Sequence, residues 1–168
     1  QATLMAPTEI LATQHFNAVK ELLNGIDIQV ELLTGSTKAK KRKEIHQNLD
    51  NGSLHILIGT HALLEDKVVF KNLGIAIIDE QHRFGVEQRV ALASKGEDVD
   101  LLVMSATPIP RTLMMTVYGD LDVSFLKEKP AGRQEIQTSL IDSERLSDVV
   151  QRLKSALDQG KKAYWVCP

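Results

Sequence analysis

The run Ile75-Ala76-Ile77-Ile78 passes directly into two carboxylates, Asp79 and Glu80, and then into Gln81, His82 and Arg83. A buried strand ending in adjacent acids is costly unless those acids emerge where solvent or a ligand meets them. Similar apolar runs recur along the chain: 2–6 (ATLMA), 28–33 (IQVELL), 55–60 (HILIGT) and 101–106 (LLVMSA), each closed by polar or turn residues. Between the first two, Leu11, Phe16, Val19, Leu22 and Leu23 fall at helical spacing, with Thr8 as N-cap and Gly25 past the end. Residues 34–52 read as a turn, a basic helix and an Asn51-Gly52 stop. Strands alternating with helices of this length predict an α/β fold, a parallel sheet with helices on its faces. Ligands of such sheets sit beyond the carboxyl ends of the strands, which places Thr34, Thr60, Asp79 and Ser105 on one rim.

The chain's 168 residues make about one ordinary domain, able to bury roughly 70% of its unfolded surface. A net charge of −2 gives no global attraction to nucleic acid or an acidic membrane, so any such partner must meet a local patch. No stretch approaches the ~20 apolar residues of a membrane span, and no membrane partner is expected. One cysteine, Cys167, excludes an internal disulfide and fits a reducing, cytoplasmic compartment. The start at Gln1, almost inside a strand, predicts a piece of a longer protein. Composition shifts near Lys127, so residues 1–127 read as one domain and 128–137 as a linker. Residues 138–168 read as the start of a second domain: a strand at 138–141 (TSLI), a helix at 143–160 and a strand at 162–168 (KAYWVCP).

Each candidate element has a bland reading beside its functional one. Asp79-Glu80 is either a solvated strand end or a pair in which one acid holds Mg²⁺ and the other polarises water. Ser105-Ala106-Thr107 is an ordinary strand-to-helix turn unless it faces the same ligand. Thr8 caps a helix whose N-terminus offers backbone N–H groups to a phosphate. Gly35 permits a tight turn, and Ser36 or Thr37 caps the next helix. Lys38, Lys40, Lys41, Arg42 and Lys43 then put five cations in six positions, a solvated face or a phosphate contact. Thr60-His61 closes another strand, and Trp165 reads as core.

In this order the segments APTEILA, LLTGS, IGTHALL, IIDEQHRFGVEQR and SATPIPRTL resemble the successive motifs of superfamily 2 DEXH-type DNA helicases, and among them the RecG type. The resemblance runs along essentially the whole chain, including KPAGRQEIQT and KAYWVCP. It implies an incomplete RecA-like sheet followed by the first elements of a second RecA-like domain. The implied function is ATP-dependent unwinding or branch migration of forked and Holliday-type DNA in recombination and repair, by a monomeric motor gripping branched or duplex DNA through its phosphates. It further implies that Asp79 holds Mg²⁺ on ATP and that Glu80 is the base for the attacking water. Gln81, His82, Ser105, Ala106, Thr107 and Arg111 would couple nucleotide state to DNA. Thr8, Gly35, Ser36 and Thr60 would touch the DNA backbone.

A P-loop motor needs G-x-x-x-x-G-K-[ST], and none of the ten glycines starts that pattern. In the family the loop lies upstream of QATLMAP, so the 168-residue chain alone is expected to bind ATP poorly and not hydrolyse it. The related readings are a transcription-repair coupling translocase or a replication-restart helicase, which carry a second Glu where this chain has Gln81. A reading of another class is a non-hydrolysing nucleic-acid-binding domain. A small Mg²⁺-dependent phosphohydrolase lacks any nucleophile motif.

Overall fold

Apolar side chains of the strand segments alternate between two faces, and each face is covered by different helices. The computed structural model describes residues 1–80, 83–107, 122–128, 132 and 136–166. Its strands are β1 (Ala2–Met5), β2 (Val30–Leu33), β3 (Ile56–Gly59), β4 (Ile75–Ile78) and β5 (Asp100–Val103). They form one sheet in the order β2-β3-β1-β4-β5, every pair parallel. The helices are α1 (Glu9–Leu22), α2 (Ala39–Asn51), α3 (Val86–Ala93) and α4 (Leu146–Asp158).

On one face Met5, Leu33, Leu57, Ala76 and Ile78 pack with Ile45 and Leu49 of α2 and Leu92 of α3. On the other, Leu4, Ile58, Val30, Leu32 and Ile77 pack with Leu11, Ala12, Phe16 and Val19 of α1. This two-sided cover lets the strands be largely apolar. The polar residues within the strands are Thr3, Glu31 and Asp100; of these Thr3 is fully buried and donates its hydroxyl to Leu57 O at 2.9 Å.

The helix ends follow their sequence signals in part. Thr8 caps α1, its hydroxyl accepting from Leu11 N–H, and Gly52 ends α2 in the left-handed region at φ +84°. The expected Ser36 or Thr37 cap of α2 is replaced by Lys38, which makes no side-chain cap bond. Ser36 and Thr37 are engaged elsewhere: the Thr37 hydroxyl accepts from Thr34 N–H, and Ser36 bonds Glu9. Gly59 answers a close approach, since a Cβ there would run into Leu33 O and the Leu63 side chain.

The chain divides into two compact units, Gln1–Leu121 and Asp122–Pro168. Within the second, α4 forms as expected after a short turn at Ser143–Arg145. The expected strands do not: residues 136–142 and 161–166 are irregular. A strand needs a neighbour for its N–H and C=O groups, and the described residues of this unit supply none. Leu140, Tyr164 and Val166 are almost fully exposed, and Trp165, read as core, is 52% exposed.

Candidate active site

The registers align Met5 with Gly59 and Ile78, Leu33 with Gly59, and Ile78 with Val103. All five strands therefore end along one edge, and their next residues form it: Pro7-Thr8, Thr34-Gly35-Ser36, Thr60, Asp79-Glu80 and Ser105–Thr107. A cleft of roughly 540 Å³ opens there, lined by Pro7, Thr8, Leu11, Glu80, Arg83, Phe84, Ala106 and Thr107. Three separate segments of the sequence thus meet in one cavity: the α1 N-terminus, the acid pair and the turn after β5.

Asp79 extends the β4 ladder by one bond, its N–H donating to Met5 O at 3.0 Å. Its carboxylate is held on both sides. Oδ1 accepts Glu80 N–H at 2.9 Å, and Oδ2 lies 2.7 Å from His15 Nε2 on α1. Glu80 sits at φ +51°, in the left-handed region that costs a non-glycine residue roughly 1–2 kcal/mol. The Asp79 carboxylate on its N–H and the Arg83 N–H on its carbonyl, 2.9 Å, fasten that conformation. Local strain at a ligand edge is a recurrent property of functional sites.

The turn after β5 closes on itself. Ser105 Oγ lies 3.0 Å from Thr107 Oγ1 and accepts Thr107 N–H at 3.2 Å. Ala106 and Thr107 are exposed on the cleft wall. Gln81, His82 and Arg111 lie outside the described residues.

The four residues expected at DNA divide into three situations. Thr8 lines the cleft while capping α1. Gly35 and Ser36 lie beside the first turn of α1, where the Glu9 carboxylate accepts Ser36 N–H at 3.1 Å and Ser36 Oγ–H at 2.9 Å. These bonds, the hydroxyl foremost, hold the Glu9 carboxyl below its ordinary value of 4.5. Thr60 departs from the expected surface contact: it is 2% exposed, and its hydroxyl has no partner among the described residues. It directly follows β3, where its N–H donates to Leu33 O at 3.3 Å and its carbonyl accepts Leu63 N–H at 3.0 Å.

Within the basic run two cations face the protein's own acids. Lys41 Nζ lies 2.6 Å from Glu31 Oε1, which raises its pKa, and Arg42 pairs with Glu65 at 2.6 Å while donating to Thr34 O. Sequence reasoning overlooked His15, Arg83 and Phe84. The available signal for His15 was its spacing: positions 8, 11 and 15 share one face of a helix.

The DEAD/DEAH box helicase family model matches residues 1–116. Among curated proteins, the ATP-dependent DNA helicase RecG of Bacillus subtilis is 51% identical over the whole chain, which spans 25% of that relative's length. RecG of Synechocystis is 49% identical, again over the whole chain and 20% of the relative. Among solved structures, RecG bound to a three-way DNA junction superimposes with a TM-score of 0.76 at 45% identity, over 95% of this chain and 21% of that one. The sheet and its helices thus have the RecA-like arrangement of helicase motors. The chain spans about a quarter of the curated relatives it matches, and it belongs to the DEAD/DEAH box helicase family.

Proposed function

We propose that this chain is part of a RecG-type, ATP-dependent DNA helicase that remodels branched DNA. Residues 1–127 are the first motor domain, 128–137 the linker and 138–168 the beginning of the second. The observation that carries the reading is the shared cleft, where Thr8, Glu80, Ala106 and Thr107 face one cavity although up to 99 positions apart. Nucleotide use follows from the family.

The donor set fits Mg²⁺. Among the described residues no group of three or more His, Cys, Asp or Glu forms a metal cage, while Mg²⁺ on a nucleotide takes one or two carboxylates and fills its other positions with phosphate and water. Bound there, the ion would neutralise charge on the phosphates. Asp79 would hold it through the free directions of its two oxygens. Glu80 would orient the attacking water and accept its proton, and the Ser105–Thr107 turn, together with Gln81, His82 and Arg111, would pass nucleotide state to DNA. Thr8, Gly35 and Ser36 would meet the phosphate backbone, so binding should fall with salt and depend little on sequence.

DNA-stimulated ATP hydrolysis by the full-length protein tests the assignment. Forked DNA should raise turnover, and Ser105→Ala/Thr107→Ala should lower that stimulation more than the basal rate. Absence of any stimulation by branched DNA would overturn the reading.

A further inference from the structure

We propose that His15 is a positioning residue for Asp79, fixing the carboxylate in the orientation that receives the nucleotide-bound divalent cation. This rests on the assignment of Asp79 above. The contact is short, 2.7 Å, joins residues 64 positions apart, and is only partly open to solvent, His15 being 30% and Asp79 20% exposed at the side chain. A carboxylate accepts and does not donate, so Nε2 carries the hydrogen and donates the bond that Oδ2 accepts.

The geometry makes the bond selective. Oδ1 is already fixed by Glu80 N–H, which sets one edge of the carboxylate; His15 fixes the other. With both oxygens held, rotation about the terminal torsion, otherwise broad for Asp, is removed. Each oxygen still has a lone-pair direction free for a metal-bound water. Outer partners of this kind orient ligating carboxylates, and their loss typically weakens metal binding or activity about 10–100-fold. His15 also stands on α1, the helix whose Thr8 and Leu11 line the cleft. One rigid element therefore sets both a cleft wall and the acid beside it.

The test is Mn²⁺ titration, by electron paramagnetic resonance, of the full-length protein bound to a non-hydrolysable ATP analogue. His15→Ala should raise the half-saturating Mn²⁺ concentration about tenfold. His15→Gln, whose amide donates in place of Nε2, should recover most of that loss. In turnover assays the Ala variant should shift the Mg²⁺ requirement more than the kcat at saturating Mg²⁺. An Ala variant within about twofold of wild type, or a Gln variant as impaired as Ala, would overturn the proposal. Asp79→Asn separates the two claims. If it abolishes Mn²⁺ binding while His15→Ala does not, only the positioning role fails; if it changes nothing, the metal assignment and this inference fail together.

Discussion

Ile75–Ile78 has a parallel partner on each side, β1 and β5, and a helical layer on each face. Residues 138–141 of the second unit are equally short and end in the apolar Leu140 and Ile141, yet they pair with no strand among the described residues, and Leu140 is fully exposed. The difference lies in the neighbours. A strand is stabilised by its ladder and by burial, and a run of suitable residues without either stays irregular. A helix closes its own hydrogen bonds, so α4 forms in the same unit although none of its residues is buried.

The sharpest way to break this contrast is substitution in the two units. Leu57→Ala, in the fully buried centre of β3, should destabilise the first unit by about 2–5 kcal/mol. Val150→Ala on α4, where the residue is 49% exposed, should change stability by about 0.5 kcal/mol or less. Urea unfolding followed by circular dichroism checks both, and comparable losses would contradict the contrast. Trp165, the only tryptophan, reports separately on the second unit. Next in size is Gly59→Ala, where the clash with Leu33 O and Leu63 should cost about 3 kcal/mol by the same assay. Thr8→Ala removes the α1 cap and should cost about 1 kcal/mol, with Thr8→Ser restoring most of it.

The smallest expected effect is a pH dependence at the α1 and Gly35–Ser36 junction. Folding lowers the Glu9 pKa, chiefly through the Ser36 hydroxyl, so the stabilisation is present above the ordinary 4.5 and is lost as pH falls through the folded value. Acid titration of stability should therefore show a steeper loss below about pH 4.5 in the wild type than in Glu9→Gln. Equal slopes would remove the Glu9–Ser36 bonds from the folded state in solution. The carboxylate is exposed, so the difference will be slight.

The sheet was legible because a continuous apolar run closed by turn residues leaves little choice of state, and the parallel order follows once helices separate the runs. Asp79, Glu80 and the Ser105–Thr107 turn were legible for the same reason: strand ends share an edge. His15 was not, since its meaning depends on a contact with a residue 64 positions away. Ser36 was misread as a cap because nothing local reveals the Glu9 carboxylate that engages it. Thr60 shows the limit of the edge argument. Position at a strand end fixes where the backbone emerges, and it does not fix whether the side chain reaches the surface: Thr60 is 2% exposed.

The central claim is that Glu80 activates water on a nucleotide held at this edge. Its most direct test is ATP turnover by the full-length protein carrying Glu80→Gln, measured together with equilibrium ATP binding. Binding should stay near the wild-type level while turnover falls about 10²–10⁴-fold, the usual cost of removing a general base. Turnover equal to wild type, with binding intact, would contradict the account.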